Sequence, residues 1–234
     1  MAEVSDPRNR VAAALRGAIA AQPQREAAGS AYDMLAVAES IAARGGLDAD
    51  DIRQRHREAG GATALLVAAL PLGLATPLDR PRMRRDAYHY AAATGADEGT
   101  ALVCVAAALV VADLLRFDPV TTAIRVRQSL LEDAPMALLD RLSVLAAGVP
   151  VDVVDEDPGA ALQAALSAVE WTGGAGVAAV LARLGEAGRG QLGTLAAALA
   201  GAASGDCDVP VDGPVAERVD LVADALVALG ARAG

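Results

Sequence analysis

GQLGTLAAALAGAASG, residues 190–205, is the stretch of this chain that decides its fold. It predicts a helix of mostly alanine and leucine that opens on glycines and a threonine, with Gly201 and Gly205 four residues apart on one face. Only very small side chains let two helices approach closely, so the stretch is typical of a buried central helix. Free N–H groups at a helix start attract anions and metal-bound phosphates. No Asp or Glu occurs here to hold a metal ion.

The composition of the 234 residues indicates an all-α fold. Hydrophobic residues make up 54% of the chain and aromatic residues only 2%, and the apolar side chains are mostly Ala, Leu and Val. Many closely packed helices bury such side chains better than a sheet sandwich does. We therefore expect a single compact domain of many helices.

The charge and the cysteines limit the expected partners and compartment. A formal net charge of −10 argues against a nucleic-acid-binding surface, which needs clustered cations. The longest apolar run, residues 101–112, is too short to cross a bilayer, and the N-terminus lacks the order of a secretory signal. The two cysteines, Cys104 and Cys207, provide no disulfide framework. We expect a cytoplasmic protein that binds neither nucleic acid nor membranes.

Aspartate–proline pairs and glycines mark the helix ends. Asp6, Asp118 and Asp157 each precede a proline, the pattern of an N-cap followed by proline in the first turn. Glycines fall where the apolar periodicity lapses. These signals predict helices near residues 7–21, 31–44, 48–58, 62–73, 81–93, 98–116, 119–131, 135–147, 158–171, 174–185, 192–204 and 214–230. Residues 151–154 are the one stretch that favours a short strand.

We expect three parts in this chain. Residues 6–205 form the helical domain, residues 206–213 form a linker rich in Asp, Gly and Pro, and residues 214–234 form an amphipathic C-terminal helix. The apolar residues of that helix lie on one stripe. The stripe either docks onto the domain or forms the seam of a dimer.

Several segments, taken in order over residues 6–205, resemble the ADP-ribosylglycohydrolase family of all-α enzymes. Residues 33–41, DMLAVAESI, resemble the helix after the family's first metal-binding motif. Residues 64–74, ALLVAALPLGL, resemble a stretch that the family usually writes as AMRVAPLGLL. Residues 94–115 resemble its threonine-histidine turn and long alanine-rich helix, and residues 156–205 its closing pattern. The resemblance implies an ADP-ribosylglycohydrolase-like fold.

The first metal-binding motif of the family has no counterpart here. When the chain is aligned with the family, the family's Thr-Asp-Asp-Thr motif falls on residues 28–31 or one residue later. This chain has Gly29 and Ser30 in that place. Two adjacent Mg²⁺ ions need carboxylates that share their charge, and these residues supply none. The family's histidine after threonine is replaced by Gly95.

The last motif of the family, Gly-Gly-Asp-Thr-Asp-Thr, is lost in the same way. It falls on residues 189–194 or one residue later, at the start of the central helix. In either register both aspartates are replaced, the first by Gln191 or Leu192 and the second by Gly193 or Thr194. The resemblance therefore implies a degenerate member that binds no metal and needs no cofactor.

A few side chains remain as candidates for a pocket at the lost motifs: Ser30, Tyr32, Asp33, Glu39, His89, Gln191 and Thr194. Asp33 and Glu39 are six residues apart, so they do not share a helix face well as replacement ligands. A cap-side charge and an outward-facing acid explain them better than a functional role does. Tyr32 either stacks on an adenine or ribose or fills the site. His89 lies between two of the few aromatic residues. No spacing indicates a catalytic triad, so no catalytic residue is assigned.

These observations predict an ADP-ribosylglycohydrolase-like protein without two-metal hydrolase activity. It is expected to bind a small-molecule or ADP-ribose-like ligand or a protein partner, which includes a homodimer. The alternative is a metal-independent enzyme on the same scaffold that acts on a small molecule or nucleotide-sugar, with Tyr32, Asp33, Glu39 or His89 in acid–base roles. A third alternative is a helical regulatory protein that shares only alanine-rich packing with the family.

Overall fold

The computed structural model describes residues 6–22, 29–55, 61–147 and 157–233. Within these ranges the chain forms α-helices joined by short turns, and no strand occurs there. The expected strand at residues 151–154 lies outside the described residues. The helices are α1 (Pro7–Ala21), α2 (Ser30–Arg44), α3 (Ala49–Arg55), α4 (Ala62–Ala75), α5 (Arg80–Ala93), α6 (Glu98–Leu114), α7 (Pro119–Leu130), α8 (Met136–Ala146), α9 (Pro158–Trp171), α10 (Val177–Leu184), α11 (Gln191–Ser204) and α12 (Gly213–Ala233), with a 3₁₀ turn over Gly185–Arg189 before α11.

The aspartate–proline pairs cap helices as the sequence predicts. The carboxylate of Asp6 accepts a hydrogen bond from the backbone N–H of Arg8, and that of Asp157 accepts one from Gly159. Asp118 accepts hydrogen bonds from the hydroxyl and the backbone N–H of Thr121, which lower the pKa of its carboxyl. Each cap satisfies N–H groups that have no partner within the helix.

Helix α11 is the buried centre of the fold, and it packs mainly between α1 and α9. A Cβ atom at Gly201 would overlap the carbonyl oxygen of Ala13, and one at Gly17 would overlap that of Ala197. The two contacts show that α1 and α11 run antiparallel. Gly205 plays a different part from Gly201, because it adopts a φ of 77° and ends the helix. The prediction of a close-packed central helix is confirmed.

A second close pair, α4 and α6, completes the core. Both helices are apolar on nearly every side and almost fully buried, as expected of helices that other helices surround. Gly73 of α4 lies against the backbone of Ala108 in α6, where no side chain would fit. Cys104 is a buried core residue of α6, and burial raises the pKa of its thiol to about 12.

Charged groups tie neighbouring helices to the end of α6. Asp113 is 3% exposed and forms ion pairs with Arg80 of α5 and Arg125 of α7. Arg10 of α1 donates hydrogen bonds to the carbonyl oxygens of Leu114 and Ala202, at the C-terminal ends of α6 and α11. Cations are favourable there because a helix C-terminus carries partial negative charge.

The C-terminal helix α12 lies against α1, α2 and α4. Its inward stripe includes Val219, Val222 and Leu226, all buried. Asp220 pairs with Arg16 at 2.7 Å, and Asp224 pairs with Arg8. The helix therefore packs on the same chain along the stripe that the sequence identifies. Across the described ranges no helix combines the length and the apolar character that crossing a membrane requires.

Candidate functional site

Three helix ends meet at the positions that the resemblance aligns with the family's metal-binding motifs. Helices α1 and α11 run antiparallel, and Gly17 of α1 lies against Ala197 of α11. Gln22 follows the last residue of α1, five residues after Gly17. It therefore lies level with the first turn of α11. The side-chain oxygen of Gln22 accepts a hydrogen bond of 3.3 Å from the backbone N–H of Ala31 in the first turn of α2. The end of α1 and the starts of α2 and α11 thus form one region, called here the three-helix end.

At the start of α2, the Gln22 amide occupies space beside the helix N-terminus. Gly29 is the N-cap residue and has no side chain to cap the helix. A Cβ atom at Gly29 would overlap the amide group of Gln22. Ser30 is 5% exposed, so its hydroxyl is almost entirely removed from solvent. A neutral amide and a buried hydroxyl therefore lie where the family resemblance implies carboxylates.

At the start of α11, the preceding 3₁₀ turn covers the helix. The carbonyl oxygen of Gly188 lies so close to Gly193 that only glycine fits there. Thr194 is 1% exposed, and its hydroxyl donates a hydrogen bond of 3.4 Å to the carbonyl oxygen of Gly190 in its own helix. Gln191 is half-buried. The backbone and the Thr194 hydroxyl therefore satisfy each other in this turn.

Tyr32 and Asp33 lie in the first turn of α2, near the three-helix end. Asp33 is close enough to the buried Tyr90 of α5 to influence its ionisation. Burial raises the pKa of Tyr90 far above its ordinary value, and the nearby Cys104 and Asp33 raise it further. The Tyr90 phenol is therefore neutral at any physiological pH.

Glu39 lies near the other end of α2 and binds the C-terminal helix. Its carboxylate accepts hydrogen bonds from Arg218 of α12, one of them 2.6 Å long. This hydrogen bond raises the pKa of Arg218, and the nearby Tyr32 adds a small rise. Nine residues of helix separate Glu39 from Ser30, which corresponds to about 13 Å along the axis. Glu39 therefore acts as an anchor for α12.

His89 lies on the exposed face of α5, while the next residue, Tyr90, points into the core. The structure thus brings Ser30, Gln191 and Thr194 to the three-helix end, with Tyr32 and Asp33 on the first turn of α2. It gives Glu39 an ion-pair partner and His89 a solvent-exposed position. The four side chains named for metal-independent acid–base chemistry do not form one cluster.

The residues at the three-helix end do not fit a pair of magnesium ions. Mg²⁺ prefers carboxylate oxygens, and the positions aligned with the family motifs supply an amide, hydroxyls and bare backbone. Among the described residues, no three His, Cys, Asp or Glu side chains lie close enough together to hold a metal ion.

Sequence reasoning missed Gln22 and Arg218. Gln22 follows the last residue of α1, where its sequence neighbourhood gives no sign of a contact with α2 nine residues later. Arg218 looks like an ordinary exposed residue of an amphipathic helix, and its partner Glu39 is 179 residues away in the chain. Both contacts depend on how the helices pack, which local patterns do not reveal.

Comparison with known proteins supports the fold. No protein-family model matches the chain, and no curated protein matches it. One solved structure that it resembles is titled "ADP-ribosylglycohydrolase-related protein complex". That match has a TM-score of 0.67 and 18% sequence identity, and it covers 98% of this chain and 100% of the other. The prediction of an all-α fold of the ADP-ribosylglycohydrolase type is confirmed.

Proposed function

We propose that this chain is a non-hydrolytic relative of the ADP-ribosylglycohydrolases that works as a binding module. Its main ligand in this proposal is another protein. The observation that carries the proposal is the Gln22 amide beside the N-terminus of α2. A carboxylate at position 29 would require this amide to move, so the replacement of the motif extends to the surrounding packing. The scaffold is retained while the groups that would bind metal and activate water are replaced.

The arrangement of polar groups supports binding over catalysis. A general acid or base must reach the reacting atoms, and a cluster of such groups is the usual sign of a catalytic site. Here Glu39 is engaged by Arg218, Thr194 is engaged by its own helix, and His89 lies on an exposed helix face. These placements weigh against the metal-independent enzyme.

The test is an assay for magnesium-dependent release of ADP-ribose from a modified protein, with calorimetry of Mg²⁺ binding beside it. We expect no release above the rate of the uncatalysed reaction and no tight binding of Mg²⁺. An active ADP-ribosylglycohydrolase assayed in parallel provides the positive control. Magnesium-dependent turnover by this chain would overturn the proposal.

A second measurement distinguishes binding of a protein from binding of a small molecule. A ligand that binds the native state raises the melting temperature, because it stabilises that state by mass action. We expect ADP-ribose and related nucleotide-sugars to leave the melting temperature unchanged, because Gln22 and the 3₁₀ turn occupy the three-helix end. Stabilisation by ADP-ribose that disappears in Gln22→Glu would show that the module binds a small molecule at this end.

A further inference from the structure

Helix α12 lies on the outside of a core that is packed without it. It follows residues 205–212, a segment in which neither helix nor strand forms. The helices beneath it have other main partners, because α1 packs chiefly on α11 and α2 on α4. Four side chains of α12 are buried in its contact with them: Val219, Val222, Ala223 and Leu226. The closest helix contacts of the fold therefore remain when α12 is lifted away.

Two ion pairs on the α1 side orient α12. Arg16 of α1 pairs with Asp220 at 2.7 Å, and Arg8 pairs with Asp224. The arginine nearer the start of α1 pairs with the acid farther along α12, so the two helices run antiparallel. Each of these four side chains keeps at least 33% of its surface exposed. Water and salt therefore reach the pairs and weaken them.

The α2 side contributes a charge of the opposite sign. Glu39 of α2 accepts two hydrogen bonds from the guanidinium of Arg218. The groove bounded by α1, α2 and α4, called here the α12 groove, thus has two arginines along one edge and a glutamate along the other. A helix fits this groove when it carries an apolar stripe, two acids one turn apart facing α1 and an arginine facing α2. These charges select both the direction and the register of the helix.

We propose that the α12 groove is the protein-binding surface of this chain and that α12 occupies it as an autoinhibitory helix. The partner is another protein that presents an amphipathic helix with the pattern of α12, and it binds by displacing α12. Because α12 is tethered beside the groove, it competes at an effective concentration of about millimolar. The inference rests on the proposed function as a protein-binding module, and it names the surface, the partner and the regulation.

A fluorescein-labelled peptide of residues 213–233, followed by anisotropy, tests the proposal on the full chain. The double variant Asp220→Arg with Asp224→Arg places cations opposite Arg8 and Arg16, so its own α12 is driven from the groove. We expect this released variant to bind the unmodified peptide at least about tenfold more tightly than the wild type does, because the competing helix is gone. Equal affinity for the two chains overturns the proposal.

Two controls separate groove binding from attraction between net charges. Glu217→Arg changes a charge on the exposed side of α12, and this chain should bind the peptide as weakly as the wild type. A peptide with Val219→Ser and Leu226→Ser keeps its charges and loses its apolar stripe, so it should not bind the released variant. Binding by that peptide, or tight binding by Glu217→Arg, contradicts a specific groove.

Reversing the groove should reverse its preference. The double variant Arg8→Asp with Arg16→Asp should bind the peptide that carries Asp220→Arg and Asp224→Arg at least about tenfold more tightly than the unmodified peptide. A misfolded chain does not produce such a matched reversal. The absence of any preference in a variant whose circular dichroism matches the wild type overturns the proposal.

The wild-type chain provides a test that needs no variant. Unlabelled peptide at about millimolar concentration should displace α12 and speed the hydrogen exchange of its amides, and unchanged exchange contradicts the proposal. The chain itself should sediment as a monomer at about 0.1 mM, below the effective concentration of the tethered helix. A dimer formed by exchange of α12 would make a second copy the occupant and overturn autoinhibition.

The two proposals can fail separately. Magnesium-dependent release of ADP-ribose overturns the non-hydrolytic function whatever the peptide does. A chain without hydrolase activity whose released variant ignores the peptide overturns the autoinhibited groove and leaves the non-hydrolytic function in place.

Discussion

At Gly201 the backbone of α11 lies directly against the carbonyl oxygen of Ala13, in a space that no side chain fits. Gly17 and Gly73 make the same kind of contact between α1 and α11 and between α4 and α6. Such contacts bring helix axes closer than leucine or valine would allow, and interiors tolerate little added volume. Such packing favours small side chains, in agreement with a composition that is rich in alanine and poor in aromatic residues.

Replacing Gly201 by alanine should destabilise the fold. The added methyl group would collide with the backbone of α1, and overpacking of this kind costs about 1–3 kcal/mol or more. Urea unfolding of Gly201→Ala measures the loss. Gly99→Ala is the control, because Gly99 is exposed in the first turn of α6 and the added Cβ meets only ordinary contacts. The free energy of unfolding of Gly99→Ala should rise by about 0.5–1 kcal/mol, because alanine favours a helix more than glycine does. Equal effects of the two substitutions would contradict the close contact at Gly201.

The cap at Asp118 should make stability depend on pH in the acid range. Hydrogen bonds from Thr121 lower the pKa of Asp118 in the folded chain, so the ionised cap stabilises the fold above the unfolded pKa of about 3.9. This contribution is lost as the pH falls through the lowered folded value. We expect Asp118→Asn to melt below the wild type at neutral pH and the two to converge in acid. A constant difference at every pH would contradict this account.

Among the elements, α10 shows where prediction from sequence is limited. The start and end of α9 agree with the predicted residues 158–171, because Asp157 and Pro158 signal the start locally. The predicted helix over residues 174–185 begins later, at Val177, because Gly173, Gly174 and Gly176 adopt positive φ angles. The side chain that caps it, Asp208, comes from the segment between α11 and α12, where no local rule would look.

Removing this distant cap should loosen α10. The carboxylate of Asp208 accepts a hydrogen bond of 2.9 Å from the backbone N–H of Ala178, which no other side chain provides among the described residues. Asp208→Ala should cost about 1 kcal/mol in the free energy of unfolding, the usual value for an N-cap. Faster hydrogen exchange confined to α10 would locate the effect. Asp206→Ala is the control, because it removes a nearby negative charge without removing the cap. A similar loss of stability in that variant would show that the effect of Asp208→Ala comes from the charge and not from the hydrogen bond.

At the scale of the whole molecule, burial predicts a gradient of local stability. Helices α4, α6 and α11 are surrounded by other helices, while α10 and α12 face solvent along one side. Elements with few buried contacts open more easily than the core does. Hydrogen exchange followed by mass spectrometry should find slow exchange in the first set and faster exchange in the second. Exchange in α12 as slow as in α11 would contradict this gradient.

The fold was predictable from this chain to a greater extent than the candidate site. Asp–Pro pairs, glycine positions and apolar periodicity act locally, and they predict the helices well. The surroundings of Ser30 and Glu39 depend instead on Gln22 and Arg218, which reach them only after the helices have packed. Positions such as Gly29 and Gly193, which carry no side chain for chemistry, also give no positive sign of what surrounds them.

The contact between α1 and α11 has a consequence for how the chain folds during synthesis. Ala13 meets Gly201, so the main partner of the first helix is made almost two hundred residues later. Until then, the face of α1 that packs on α11 lacks that partner as the chain leaves the ribosome. Contacts between such distant residues slow folding, because a long loop must close first. Helix α1 therefore completes its packing only after α11 has been made, and the face that α11 covers is exposed to aggregation until then.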